Sequence, residues 1–155
     1  MTHLATYVRL LHRSEQSLAD SLRVVGVGHA AEVDVFHTAH LLAHWSDEHT
    51  RRLEPIAQRL LTQASAAEEP QRMNHPPIKE IRDGAVGLLR DLQDLYLLAA
   101  LVQTSWTVVE GAAEGARDRE LTTVAQECSA QTARQLTWLR TRMKEAAPQA
   151  LLVAT

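Results

Sequence analysis

The stretch that decides the fold is residues 35–61, VFHTAHLLAHWSDEHTRRLEPIAQRLL. Its apolar residues recur every three or four positions, which is the spacing of one face of an α-helix. That face consists of Val35, Ala39, Leu42, Ser46, His49, Leu53, Ile56 and Leu60. Because only Ser46 and His49 interrupt it, we expect this face to be buried. A second face lies roughly opposite and is predicted to be exposed. It consists of His37, His40, His44 and Glu48.

The same spacing predicts three further helices, each with a row of residues that repeats in steps of three and four. The rows are Leu4, Val8, Leu11, Glu15, Leu18, Leu22 and Val25; then Ile81, Ala85, Leu88, Leu92, Leu95, Ala99, Val102, Trp106, Val109 and Ala113; then Leu121, Ala125, Cys128, Thr132, Leu136, Leu139 and Met143. Glu15 is the only polar member of the first row, and the second row has none. We therefore predict an apolar interior in the C-terminal half of the chain and a single buried acid in the N-terminal half.

Glycine and proline mark the predicted ends of the helices, at about 3–25, 34–62, 78–114 and 118–146. Pro148 is expected to stop the fourth helix. Pro55 lies inside the second helix, where we expect a kink or a short break near residues 51–54, because proline lacks the N–H and clashes with the preceding turn. Residues 64–77 form the one long loop, and the apolar tail 150–154 is expected to dock on the bundle or on another subunit.

These elements predict an all-α fold in which residues 1–155 form a single antiparallel four-helix bundle. Two helical hairpins, each with a short glycine-containing turn, are joined by the long middle loop. A loop of this length allows either ordinary up-and-down topology or a crossover connection, and the sequence leaves both open.

Composition excludes several classes of function. The net charge of -3 comes from mixed signs, which gives no basic surface for nucleic acid. A single cysteine, Cys128, excludes an internal disulfide and a cysteine-rich zinc site. The N-terminus has no secretory pattern, and the longest uncharged run, residues 95–109, is too short to span a bilayer. We therefore expect a cytoplasmic protein that binds neither membranes nor nucleic acid.

Glu15 and His49 interrupt the buried faces of the first two helices, and we predict that they meet. Counted from the turn near Ala30, Glu15 lies 15 residues before and His49 lies 19 residues after, so the two fall at similar depth in the hairpin. A buried carboxylate without a partner would cost several kcal/mol, which favours such a contact. One interpretation is a polar contact that fixes the register of the helices. The other is a mononuclear metal site held by Glu15, His49 and a water.

At these positions the chain resembles the ferritin-like superfamily. Its di-metal members take a Glu from each of two helices and a Glu-x-x-His from each of the other two. Glu15 matches the position on the first helix, and His49 matches the histidine on the second. The other positions of that ligand set are occupied here by Ser46, Val102, Ser129 and Thr132. The resemblance therefore implies a ferritin-like scaffold without the oxidase centre.

The exposed row of His37, His40, His44 and Glu48 is a second candidate site. Its steps of three and four residues bring neighbouring side chains within reach of one ion. Imidazole nitrogens bind Zn²⁺, Cu²⁺ and Ni²⁺ in such positions. A pH-sensitive surface, an interface with a second copy and a solvated face without a specific role are alternatives that the sequence leaves open.

These observations predict a non-catalytic bundle that acts through self-association, as a homo-oligomer such as a dimer, or through a protein partner. The alternative is a metal-binding or redox protein. It would hold Zn, Fe or another divalent transition metal either at the exposed histidine row or at Glu15 and His49 in the core.

Overall fold

A computed structural model describes residues 2–63 and 76–153 and confirms the all-α four-helix bundle. The helices are α1 (Thr2–Gly28), α2 (Val33–Gln63), α3 (Gly84–Gly115) and α4 (Arg119–Pro148), and a π-helical turn (Gln149–Val153) follows α4. This part of the chain contains no strand. The predicted ends of the first, second and fourth helices agree with the structure to within three residues. Most of the predicted long loop, residues 64–75, lies outside the described residues.

Neighbouring helices of the bundle run antiparallel. α1 packs beside α2 and α3, and α4 packs beside α3 and α2, whereas among the described residues the backbones of α1 and α4, and those of α2 and α3, are not adjacent. The pairs that fix these directions are Glu15–His49, Glu15–Trp106, His29–Asp91, Arg59–Asp118, Leu42–Gln135 and Gln103–Ser129.

α2 and α3 therefore run in the same direction at opposite corners of the bundle, and residues 64–83 join its opposite ends. Of the two topologies that the sequence allows, the chain has the crossover form. Ferritin-like folds also have one such connection. Membership of that superfamily stays a prediction.

The buried face of α2 is the one that the sequence predicts. All eight predicted residues are 2% exposed or less, and their apolar members pack with α1, α3 and α4 in one core. On the opposite face His37 and His44 are exposed, but His40 and Glu48 are only partly so. His40 is shielded because its ring lies against α1 at Gly26, where the absence of a side chain leaves room for it.

The third helix begins at Gly84, so the predicted start at residue 78 is wrong. The segment before Gly84 packs along the end of α1 instead. The backbone N–H of Ile78 donates to Ser21 Oγ at 2.9 Å. Ile81 lies so close to Gly28 that a Cβ there would be 2.3 Å from the isoleucine side chain. Gly84 then has a φ of 79°, a left-handed conformation that glycine adopts without steric cost.

Pro55 does not interrupt α2, so the predicted break near residues 51–54 is wrong, whereas α4 ends at Pro148 as predicted and is followed only by the π-helical turn. α2 is continuous through Pro55. Pro55 and Arg51 are exposed, and the Arg51 carbonyl that loses its N–H partner can therefore bond to water. Beyond Pro148 the backbone of Gln149 stays helical, with a φ of -63° and a ψ of -44°, and its N–H bonds to the Ala146 carbonyl.

The apolar tail docks on the bundle only in part. Ala150 is buried and the π-helical turn contacts α3, whereas Leu151, Leu152 and Val153 are exposed. Docking on the bundle is therefore confirmed for the first residue of the tail. Docking on another subunit stays a prediction, and residue 154 lies outside the described residues.

Candidate functional site

Glu15 and His49 meet in the centre of the bundle, as the sequence predicts. The Nδ1–H of His49 donates to Glu15 Oε2 at 2.5 Å, and neither residue is more than 1% exposed. Trp106 donates its indole N–H to the same oxygen at 3.2 Å. An acid from α1, an imidazole from α2 and an indole from α3 are thus joined at one depth, which fixes the register of three helices.

The other ring nitrogen of His49 also has a partner. Nε2 lies 2.7 Å from Gln131 Oε1 on α4. Exchanging the amide oxygen and nitrogen of Gln131 would reverse donor and acceptor without moving the ring. In both arrangements each imidazole nitrogen is engaged within the chain, so a metal ion at His49 would have to displace Glu15 or Gln131.

Glu15, His49, Trp106 and Gln131 form a polar layer across the bundle. Three buried oxygens in or beside this polar layer have no hydrogen-bond partner within residues 2–63 and 76–153. They are Glu15 Oε1, Gln103 Oε1 and Gln135 Oε1. The amide nitrogen of Gln135, in contrast, donates to the Leu42 carbonyl at 2.9 Å and to Ser46 Oγ at 3.0 Å. A buried acceptor left unpaired costs about 1–3 kcal/mol. The polar layer and its surroundings therefore contain more hydrogen-bond acceptors than donors.

The interior of the C-terminal hairpin is more polar than predicted. Asp91, Ser105 and Gln135 are buried beside the predicted rows, and Thr132 is buried on one of them. A helix that contacts two neighbours buries a face wider than a single row of residues in steps of three and four. The row marks the middle of that face and misses the polar residues on its flanks.

Sequence reasoning missed a second buried pair, His29 and Asp91. His29 Nε2 lies 2.7 Å from Asp91 Oδ2, to which the backbone N–H of Arg82 also donates at 3.0 Å. The guanidinium of Arg82 donates to Asp91 Oδ1 and to Asp94 Oδ2, each at 2.9 Å. The Asp94 contact, with smaller contributions from Asp91, raises the pKa of Arg82. This network holds the segment before α3 against the ends of α1 and α3.

A signal for this pair is present in the sequence. His29 lies 14 residues after Glu15, and Asp91 lies 15 residues before Trp106. Antiparallel packing of α1 on α3 that joins Glu15 to Trp106 therefore also brings His29 to Asp91. The signal becomes usable only when the two helices are known to be neighbours.

The exposed histidine row forms pairs along the helix rather than one centre. His44 Nε2 lies 3.5 Å from Glu48 Oε1, and Glu48 Oε1 also accepts from Arg51 at 2.7 Å. His40 donates its Nδ1–H to the Phe36 carbonyl at 2.6 Å. His37 packs edge-on against the Phe36 ring, with the centroids 5.1 Å apart.

No group of three or more histidine, cysteine, aspartate and glutamate side chains is placed to hold a metal ion in the described part of the chain. The structure thus brings Glu15 and His49 together, and it places His44 beside Glu48. Metal binding at either candidate site stays a prediction. The remaining thiol, Cys128, is buried, and burial raises its pKa to about 12, so it is protonated and unreactive at neutral pH.

The outer side of α3 is unusually apolar for a surface. We define the outer face of α3 as Leu97, Ala100, Leu101, Thr104, Val108, Gly111, Ala112 and Gly115. At 100° per residue these positions lie within an arc of about 120° and extend along about 27 Å of helix. Leu97 is 56% exposed and Val108 is 50% exposed. Thr104 Oγ1 donates to the Leu101 carbonyl at 2.9 Å, so even its hydroxyl is satisfied within the helix.

The outer face carries no charge, and two of its residues are glycines. A Cβ at Gly111 or Gly115 would meet nothing within 4 Å. At Gly28 and Gly87 a Cβ would lie 2.3 Å from Ile81 and from the Arg82 carbonyl. Glycine inside a helix costs up to about 1 kcal/mol relative to alanine. Internal packing therefore accounts for Gly28 and Gly87 but not for Gly111, whereas Gly115 is the last residue of α3, and glycine is common at the end of a helix.

Comparison of the chain with protein-family models, with curated proteins and with solved structures found no match. No helix among residues 2–63 and 76–153 is long and apolar enough to cross a membrane.

Proposed function

We propose that this chain is a non-catalytic helical-bundle protein that acts by associating with a second copy of itself through the outer face of α3. The observation that carries the proposal is that this face is uncharged and half-exposed. Apolar residues are confined to one side of the helix less strongly in α3 than in the other three helices. A helix that is apolar on all sides is typical of one that is covered on all sides.

A second copy suits this face better than a charged partner. Its outer face would be uncharged too, so neither surface would lose solvated charges on contact. The two-fold symmetry common in homodimers uses one patch twice, and a single apolar patch is enough to build it. Extended exposed apolar patches on soluble proteins mark interaction sites.

The polar layer supports a role without catalysis. Glu15 and His49 are inaccessible, and both nitrogens of the imidazole are engaged within the chain. A general base or a nucleophile needs a free atom within reach of a substrate. The layer thus has the features of a contact that fixes register. Cytoplasmic location and the absence of nucleic-acid partners stay predictions from the sequence.

The test is the mass of the protein in solution, measured by light scattering over a range of concentrations. We expect the wild type to form a dimer and the Leu97→Glu/Val108→Glu variant to be monomeric with unchanged helix content by circular dichroism. Val33→Glu is the matched control, because Val33 is also an exposed apolar residue but lies on α2, outside the outer face of α3. We expect it to remain dimeric.

Two results would overturn the proposal. One is a wild type that stays monomeric at every concentration. The other is a loss of dimer in Val33→Glu as large as in the double variant, which would place the interface elsewhere. If the outer face of α3 instead binds a different protein, the wild type alone will stay monomeric.

Metal binding is the second candidate function, and one contact favours it. Metal-ligating histidines usually donate their other ring N–H to an oxygen, and His40 does so to Phe36 through Nδ1. Its Nε2 then carries the lone pair that Zn²⁺, Fe²⁺ or another divalent transition metal would take. Titration calorimetry with Zn²⁺ tests this role. His40→Ala/His44→Ala should abolish binding, and equal affinity in the variant would exclude the row.

A further inference from the structure

The outer face of α3 is asymmetric in residue size along its length. Leu97 and Leu101 lie toward the N-terminal end, whereas Gly111, Ala112 and Gly115 lie toward the C-terminal end. Thr104 lies between them, seven residues from Leu97 and seven from Gly111. A surface with large residues at one end and small residues at the other is complementary to itself after a half-turn about its middle.

We propose that two copies pair through α3 in antiparallel direction about a two-fold axis at Thr104. Leu97 of one copy then lies over Gly111 of the partner subunit, and Ala100 lies opposite Val108 of the partner subunit. Because the axis repeats each contact, the interface is closed and assembly stops at the dimer. This inference rests on the proposed function and adds the direction and register of the pairing.

The two glycines are the first reason for this arrangement. A Cβ at Gly111 or Gly115 would meet no atom of the described residues within 4 Å, yet glycine at position 111, inside the helix, weakens α3. Four residues apart, the two glycines lie on one side of α3 and form a depression. In the antiparallel pairing a leucine from the partner subunit fills that depression. In a parallel pairing glycine would face glycine and leave a gap.

The charges at the ends of the face are the second reason. Arg90 lies on the same side of α3 before Leu97, and Glu114 lies near the opposite end. Both are exposed, and neither has an ion-pair partner within the described chain. Antiparallel pairing about Thr104 separates like charges, because it places the two copies of Arg90 about 42 Å apart and the two copies of Glu114 about 30 Å apart. Parallel pairing would place Arg90 beside Arg90.

Cross-linking through single cysteines tests the geometry. Thr104→Cys places a thiol on the proposed axis, where it meets its own copy, and mild oxidation should yield a disulfide-linked dimer on a non-reducing gel. Native Cys128 is buried and should stay out of the reaction. Val86→Cys is the matched control on the same side of α3. In the antiparallel dimer its two copies lie about 54 Å apart and cannot cross-link, whereas in a parallel dimer they can.

Removing the charge of Arg90 gives a second measurement. Arg90→Ala should leave the dimer dissociation constant within about twofold of wild type, whereas in a parallel dimer it would remove a contact between like charges and lower that constant. A wild type that is monomeric would overturn the proposed function and the geometry together. A dimer that cross-links through Val86→Cys, or fails to cross-link through Thr104→Cys, would overturn the geometry alone. Growth beyond a dimer would overturn the closed two-fold arrangement.

Discussion

The polar layer around Glu15 and the outer face of α3 depart from the usual distribution of residues in opposite ways. The first places an acid and an imidazole in the core, and the second places leucine and valine in contact with water. In the polar layer each unusual residue has partners within the chain: His49 bonds to Glu15 and Gln131, and Trp106 supports the acid. On the outer face neither the exposed Leu97 nor Gly111 is explained by any contact among residues 2–63 and 76–153.

This difference shows where each feature acts. The contacts of Glu15 and His49 serve the fold, because partners within the chain account for the buried imidazole and for Glu15 Oε2, although Glu15 Oε1 has none among the described residues. An exposed apolar group without an internal partner costs free energy unless something covers it. The same chain thus carries one irregularity that its own tertiary structure explains and one that points to a second molecule.

Removing a partner from the polar layer should have the largest effect. His49→Ala leaves the Glu15 carboxylate buried without its main partner, and we expect the free energy of unfolding to fall by about 3–5 kcal/mol. Urea denaturation at a fixed protein concentration measures this loss. Glu48→Ala is the control on the same helix, because its pairs with His44 and Arg51 are partly exposed and should contribute less than about 0.5 kcal/mol. Equal losses of unfolding free energy in the two variants would show that the polar layer stabilises the fold no more than the partly exposed pairs do.

Asp118 is an intermediate case, since it is polar, only partly exposed and satisfied within the chain. Its Oδ1 accepts the Leu121 N–H at 3.1 Å as the N-cap of α4, and its Oδ2 accepts from Arg59 at 2.8 Å. We expect Asp118→Ala to lower the free energy of unfolding by about 1–2 kcal/mol in the same assay. Asp118→Asn keeps an N-capping side chain without the charge and should lose less.

The Asp118 contribution should also depend on pH. Burial alone would raise the pKa of Asp118, but hydrogen bonds from Arg59 and the Leu121 N–H outweigh it and hold the pKa below its usual value. Because the folded-state pKa lies below the unfolded one, the stabilisation is complete above pH values of about 5 and is lost as the pH falls through the folded-state pKa. The difference between wild type and Asp118→Ala should therefore narrow in acid, and a constant difference would contradict this origin.

Gly111→Ala should act in opposite directions on folding and association. The added Cβ meets no atom of the described residues within 4 Å, so alanine should raise the free energy of unfolding by about 0.5–1 kcal/mol in the monomeric Leu97→Glu/Val108→Glu background. In the wild-type background it should weaken the dimer, as seen by light scattering. Gly28→Ala is the contrasting control and should destabilise the fold, because its Cβ would clash with Ile81. A tighter dimer in Gly111→Ala would contradict the prediction that the interface requires a glycine at position 111.

The smallest effect should be seen at Cys128. Burial raises the pKa of its thiol to about 12, so we expect no reaction with a thiol reagent in the folded protein at neutral pH and one equivalent after denaturation. Absorbance of the released thiolate measures both. Rapid reaction of the folded protein would show that the core near the polar layer opens more readily than its packing implies.

Much of the fold and part of the candidate site could be predicted from local spacing. The buried face of α2 and the meeting of Glu15 with His49 follow from the period of the helix and from counting outward from one short turn. Gln131 and Trp106 could not be assigned as partners in this way, because they come from helices whose placement depends on the long connection. The burial of Asp91 was not predicted, because Asp91 lies beside the apolar row of α3 and not on it.

The sequence by itself determined four helices, their inward faces and the first hairpin, because helical periodicity and short turns depend on residues close together in the chain. Only the tertiary structure decided that the connection crosses the bundle, that α3 begins at Gly84 and that His29 pairs with Asp91. Each of these depends on contacts between residues far apart in sequence. The same is true of the outer face of α3, since only the packing of α3 on α1 and α4 determines which of its apolar residues remain exposed.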